Sequence, residues 1–278
     1  MDDVGTDGFE PRPQGLVLTL LGAYRPSRRR SIWSGGLVTL LGEFGFSTGA
    51  ARAASARMVR RGLLDRLRKG RLVFYRPTRR ALALLEEGDR RIFSLGREPH
   101  GAESWTVLWH AIPEERRIER GRLARRLRFL GFGSVGDGMW ISPHDRERDV
   151  VGLIAELRVT GHAGVMLGRP AASLDVRALV SRAWDLDALD GRYRAFTREF
   201  SPYGEAGGRR GMGDREVFLL RTRLVHAFRR FPALDPELPD KLVPAPRHRA
   251  EAVALFHRLY DVLAPPAQRH FEAVTTPP

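Results

Sequence analysis

The sequence predicts an α+β fold divided among several modules, and three observations carry that expectation. At 278 residues and 42% hydrophobic content, the chain exceeds the usual size of one core and can bury two or three. Its periodicity breaks twice, near residues 96–104 and 170–175, and strand-like patterns occur only upstream of the second break. Its charge is unevenly spread. Residues 1–98 carry 19 basic and 10 acidic side chains, a net +9 of the total +14, against +2 for 99–170 (11 and 9) and +3 for 171–278 (17 and 14). A polyanion would therefore be gripped by the first third. The expected division is a tail at 1–13, then segments 14–98, 99–170 and 171–278.

The tail is acidic, contains Pro and Gly, and lacks the apolar stretch of a signal peptide. Gln14–Tyr24 is apolar enough for a first helix. Ser31-Ile32-Trp33-Ser34 is expected to open a second, with Leu37, Leu40, Leu41 and Phe44 on one side. Ser47-Thr48 supplies a capping hydroxyl for a third helix over about 49–61, which Gly62 ends. On it Ala51, Ala54, Ser55 and Met58 form an inward stripe of small residues. The opposite face presents Arg52, Ala53, Ala56, Arg57 and Arg60, with Arg61 following.

Two strands, Leu63–Arg68 and Leu72–Arg76, turn at Lys69-Gly70-Arg71, where glycine accommodates positive φ. Residues 47–80 hold eleven Arg/Lys against the single acid Asp65. Three short helices and a basic ribbon outline a winged helix-turn-helix. Arginine can fork onto guanine, alanine can touch a thymine methyl, Arg60 and Arg61 are placed for phosphates, and Lys69 and Arg71 for the backbone or the minor groove. The competing reading is a solvated basic helix face. A helix over about 79–95, capped by Thr78, completes this module.

Trp105–Ile112 reads as a strand with Trp105, Val107 and Trp109 on one face, ended by Pro113. A charged helix over 115–130, a Gly-rich turn, a strand at 138–142, a helix at 146–160 and a strand at 164–168 follow. That succession suggests a ferredoxin-like α+β module. Beyond residue 175 the segments 176–183, 186–200, 214–230 and 250–263 are helical. They are interrupted by a Gly/Arg loop at 204–213, expected to move, and an extended Pro-rich connector at 231–246, and Thr275–Pro278 is expected to fray.

Several chemistries find no local signature. The absence of Cys excludes disulfides, thiolate nucleophiles and Cys-based metal sites, and it agrees with a cytoplasmic location. No run of about 18 apolar residues marks a membrane span. The eight His show no His-x-x-x-His pair, so no metal is expected, and no nucleophile elbow occurs. Gly131-Phe132-Gly133-Ser134-Val135-Gly136 fits G-x-G-x-x-G but follows a helix, the wrong context for a dinucleotide; a tight helix-to-strand turn is expected. No cofactor is expected.

Taken together, the motifs resemble the PaaX family of phenylacetate-catabolism repressors. The resemblance is carried by Gly22 and Tyr24, Ile32-Trp33, Arg52 with Arg57-Met58-Val59, Gly62-Leu63-Leu64 and Phe74-Tyr75-Arg76-Pro77-Thr78. It continues through Trp105, Trp109, Leu127–Gly133 and Gly138–Pro143, then Ala183-Trp184-Asp185-Leu186, Tyr193, Phe196, Arg229–Pro232 and Asp235-Pro236. It implies a homodimeric repressor that binds a palindromic double-stranded operator, with a Cas2-like middle domain and release by an acyl-CoA such as phenylacetyl-CoA. No enzyme activity is implied, since the strand ending Trp109-His110-Ala111-Ile112 lacks the aspartate of a metal-dependent Cas2 nuclease.

For such an effector the candidate grips are Arg192, Arg194 and Arg198 beside Tyr193 and Phe196, Arg209 and Arg210 in the Gly-rich loop, and Trp140 as a pocket wall. The alternatives weighed are a metal-dependent nuclease targeted by the winged helix, and a constitutive DNA binder without effector.

Overall fold

The structure, a computed structural model, describes residues 11–24, 31–97, 104–239 and 243–278. Most of the expected tail, the centre of the first expected boundary and three residues of the Pro-rich connector lie outside them. By contacts the chain divides into two compact units that cut across the expected segments. Unit 1 comprises residues 1–93, 195–229 and 251–278, and unit 2 comprises 94–194 and 230–250. Late helices belong to the N-terminal unit because their aromatic side chains complete its core, a long-range pairing that local periodicity does not encode.

Unit 1 begins with α1 (Pro13–Ala23), started by a proline at its first turn, where a missing N–H costs nothing. Ile32–Trp33 does not open the second helix as expected. It forms a short strand β1 beside β3 (Ile32 opposite Tyr75, Trp33 opposite Phe74), and α2 (Ser34–Gly42) starts after it. A β-branched residue followed by an aromatic suits a pleated edge better than a helical first turn.

Helix α3 (Thr48–Arg60) is capped by Ser47, whose Oγ accepts from the Ala50 N–H at 3.2 Å, and it ends at Gly62 with φ +66°. Strands β2 (Leu64–Lys69) and β3 (Leu72–Pro77) pair antiparallel around Gly70, at φ +59°. Thr78 Oγ1 accepts from Ala81 N–H at the start of α4 (Arg79–Ser94) and donates to the Gly62 carbonyl, so one hydroxyl joins the helix start to the turn after α3.

In unit 2, β4 (Trp105–His110), α5 (Arg117–Phe129), β5 (Gly133–Gly136), β6 (Met139–Ser142), α6 (Glu147–Glu156) and β7 (Ala163–Gly168) form a sheet of order β5-β6-β4-β7, antiparallel throughout. The Gly-rich segment proves to be a turn at Gly131 (φ +85°) followed by a strand, which the sequence reading left out. Gly133 is required there because a Cβ would come within 2.8 Å of the Ala183 carbonyl oxygen.

Leu108 and Trp140, paired across β4 and β6, pack with Leu123, Leu127, Val150 and Leu153 on the helical face. The other face carries Trp105 and Ile141 beneath Val180 of α7 (Val176–Ala183), while Trp109 stays 43% exposed.

Helix α8 (Leu186–Phe200) follows, then α9 (Asp214–Phe228), the short α10 (Phe231–Leu234) and α11 (Arg249–Val262). A final helix, α12 (Ala264–Thr275), was not expected from the sequence because of Pro265-Pro266. Both prolines sit in its first turn, where they are tolerated. The 204–213 loop is packed rather than loose: a Cβ on Gly208 would meet the Pro202 carbonyl oxygen at 1.8 Å, and Arg209 donates to the carbonyls of Tyr203 and Glu205.

Gly138 combines φ +76° with a virtual Cβ 2.2 Å from the His110 carbonyl oxygen, whereas Gly152, mid-helix in α6, faces open space. Gly138→Ala is expected to destabilise by about 2 kcal/mol or more and Gly152→Ala to stabilise by about 0.5–1 kcal/mol, read from thermal or urea midpoints.

Candidate nucleic-acid interface

Helix α3 divides cleanly into two faces. Ala51, Ala54, Ser55 and Met58 are buried. Three of these are small, so α3 lies close against α1 and α2, and the Ser55 hydroxyl donates to the Ala51 carbonyl at 3.1 Å rather than remaining unpaired in the core. The opposite stripe, Gly49, Arg52, Ala53, Ala56 and Arg60, is exposed, as is Arg61 at the C-cap. Among the described residues, Arg52 and Arg60 enter no ion pair with a carboxylate. Their guanidinium groups extend from a rigid, small-residue surface that can approach a groove closely.

Arg57 behaves differently from the expectation. It is half-buried, and its guanidinium meets the side-chain amide of Gln14 at the start of α1, which accepts from Nη2 at 3.0 Å and from Nε in the amide orientation that satisfies both groups. Its spacing of three from Arg60 suggested a shared face, but α1 packs across that flank and takes the side chain. Arg57 therefore ties α3 to α1.

The ribbon adds cations beside this stripe. Lys69 lies over the Phe74 ring at 5.3 Å, and Arg71 is exposed at the turn. Arg66 and Arg68 are exposed too, and sequence reasoning passed over them although alternation in β2 puts both on the face opposite Leu67, which is half-buried and pairs with the buried Phe74. Arg68 Nε donates to the Gly70 carbonyl at 3.1 Å and so stiffens the turn. Arg76 is partly neutralised by Asp65, its cross-strand neighbour, at 3.2 Å.

The effector candidates fare unevenly. Trp140 is a core residue with Arg128 over its ring at 5.2 Å. Tyr193 is fully buried, stacked on Phe231 at 4.1 Å and donating to Asp235 Oδ2 at 2.7 Å; burial, reinforced by the Asp235 carboxylate, pushes its phenol pKa far up. Phe196 packs against Phe200 and Phe228. These three aromatics line cores rather than a pocket, because their size and apolarity are used for packing. Arg209 is committed to its own loop, while Arg192 is half-buried and Arg194, Arg198 and Arg210 are exposed. In unit 2 a cleft of about 480 Å³ opens along α7 and the start of α8, lined by Val180, Trp184, Leu186 and Val243 together with Arg177, Asp185 and Asp187. The sequence offered no signal for it beyond the Ala183-Trp184-Asp185-Leu186 motif.

Arg57→Ala is expected to lower stability by about 1 kcal/mol, the usual worth of a part-buried hydrogen-bonding side chain, whereas Arg52→Ala stays within about 0.5 kcal/mol of the parent. Chemical denaturation of the two variants checks this.

Comparison with known proteins matches the chain to three family models: the PaaX-like protein over residues 12–81, the central Cas2-like domain of the PaaX protein over 98–180, and the PaaX-like protein C-terminal domain over 184–273. It is 29% identical over 264 residues to the transcriptional repressor PaaX of Escherichia coli, covering 91% of this chain and 80% of that protein. That relative is a regulator of transcription. A solved structure of an uncharacterized protein from Mycobacterium tuberculosis shares the fold, with a TM-score of 0.52 and 24% identity over 95% of this chain and 99% of that one. With its matches running nearly end to end, the chain belongs to the PaaX family.

Proposed function

We propose that this protein is a sequence-specific DNA-binding transcriptional regulator, acting as a homodimeric repressor on a palindromic operator. The observation that carries the reading is the exposed stripe of α3, with Arg52 and Arg60 unneutralised and only small residues between them. We read the three helices with β1, β2 and β3 as a winged helix, α3 as the element that enters the major groove, and the ribbon at Lys69 and Arg71 as its wing on the backbone. The order β5-β6-β4-β7, with α5 and α6 on one face, supports a ferredoxin-like reading of the middle module. The E. coli relative's name supports repression.

Dimer recognition helices entering successive major grooves would require half-sites about 10 base pairs apart or a multiple of that. In this reading the controlled genes belong to aromatic or acyl-CoA catabolism, and an acyl-CoA-type effector releases the operator by binding the released state more tightly. The cleft at Trp184 and Leu186 suits the uncharged acyl or aryl end, since Asp185 and Asp187 in its lining disfavour phosphate. Within the same unit, phosphates would fall to arginines such as the exposed Arg194.

Arg52→Ala is expected to weaken operator binding by about 1–3 kcal/mol while changing random-duplex binding much less. Lys69→Ala and Arg71→Ala should weaken both duplexes alike and lower the salt slope by about 1 each. Equal losses for Arg52→Ala on the two duplexes would remove α3 from base reading. Titrating operator complexes with an acyl-CoA panel tests release, and Trp184→Ala should raise the effector concentration required by about tenfold or more, as expected for removing one large apolar wall. A panel without effect on the parent protein would leave a constitutive binder.

A further inference from the structure

The helix α5 of unit 2 is as basic as the recognition helix, and its solvent face is organised. Residues 116–129 contain seven arginines and the single acid Glu119. Leu123 and Leu127 bury one side against the sheet. The side pointing away carries Ile118, Arg122, Arg125 and Phe129, spaced four, three and four residues apart, with Arg117 and Arg128 alongside.

On the flanks the charge is partly balanced: Arg120 meets Glu114 at 2.6 Å and Arg126 approaches Glu156 at 4.0 Å. In the centre it is not. Among the described residues, Arg122 and Arg125 enter no ion pair, although both are exposed. Arginines three and four apart (122/125, 122/126, 125/128) repel one another, and a helix gains nothing in isolation from keeping them together. An anionic partner reverses the sign of that contribution.

We infer that the outward face of α5 is a second phosphate-binding surface, one that holds nucleic-acid backbone through Arg122 and Arg125 without reading bases. The chemistry favours phosphate over a carboxylate-bearing protein patch: the central guanidinium forks project from a straight, rigid helix, and Arg122 to Arg128 spans about 9 Å of its axis, which covers two or three phosphates of a regular strand. Ile118, 62% exposed, and Phe129, 37% exposed, bound the cationic stretch at its two ends. The inference rests on the DNA-binding reading above but uses none of the residues of α3 or the ribbon.

The test measures the salt dependence of binding to a random-sequence duplex by the full chain and by Arg122→Ala/Arg125→Ala. Removal of two phosphate contacts should lower the slope of log K against log salt by about 2, so the affinity lost between 50 and 200 mM salt shrinks about tenfold. Arg122→Lys/Arg125→Lys should keep the parent slope, and the thermal midpoint of the alanine pair should not fall, since alanine is the better helix former. If the alanine pair fails to fold, Arg122→Gln/Arg125→Gln gives the same readout. An unchanged slope in the folded variant overturns the inference while leaving the regulator reading intact. An unchanged slope with altered oligomeric mass also overturns it and makes this face a protein contact. A parent chain that binds no duplex at low salt overturns both.

Discussion

Arg221, on α9, is 3% exposed and carries its charge into a nest of aromatic rings. Burying a cation costs several kcal/mol unless its donors are matched. Here Nη1 donates to the Ala23 carbonyl at 2.8 Å and Nε to the Tyr260 carbonyl at 3.3 Å, while the guanidinium plane lies over the rings of Tyr260 at 4.4 Å and Tyr24 at 5.1 Å. Tyr24 in turn stacks on Phe271 at 4.6 Å and shares a 2.8 Å hydrogen bond with Thr222. Burial pushes its phenol up to about 12, so it stays a neutral partner at any physiological pH. This knot fixes the C-terminal end of α1, whose last carbonyl, that of Ala23, the arginine satisfies. Helix α1 is also a packing partner of α3. The outward presentation of Arg52 and Arg60 thus depends on an arginine more than 160 residues away.

Other polar ties repeat the same logic within unit 1. Arg229 donates to the Gly15 carbonyl and Thr19 Oγ1, His226 Nδ1 lies 2.8 Å from the same hydroxyl, and His270 meets Glu43 at 3.0 Å. Each joins a late helix to an early one. The basic helix face therefore rests on a scaffold whose members come from both ends of the chain, and a lesion in α9 or α12 would disturb the presentation of that face without touching it.

Legibility in the sequence follows the range of the interactions. Helix α3 was legible almost to the residue, because a capping serine, a small-residue stripe and a terminal glycine all act within four positions. The turn at Gly70 was legible for the same reason. Strand β1 was not, since Ile32–Trp33 becomes a strand only by pairing with Phe74 and Tyr75, forty residues on. Strand β5 was hidden by its glycines, one of which is needed for the approach of Ala183 and Trp184 rather than for a turn. Arg57 read as an outward cation because periodicity does not record which flank α1 covers. Trp140, Tyr193 and Phe196 were candidates on residue type alone, and type cannot distinguish a pocket wall from a core.

Charge behaves in the opposite way, since exposed cations are specified by what the sequence lacks nearby. In α3 and the ribbon, the one acid among residues 47–80 is used on Arg76, which leaves Arg52, Arg60 and Arg71 facing solvent or a polyanion, with no ion pair among the described residues. In α5 two flanking arginines find carboxylates and the central pair does not. Both arrays are held on elements whose other faces are firmly packed, so neither can relax its repulsion by moving away. Positive charge maintained on rigid elements at a cost in self-repulsion is better explained by an anionic ligand than by solubility, because solubility needs net charge and is indifferent to where it sits.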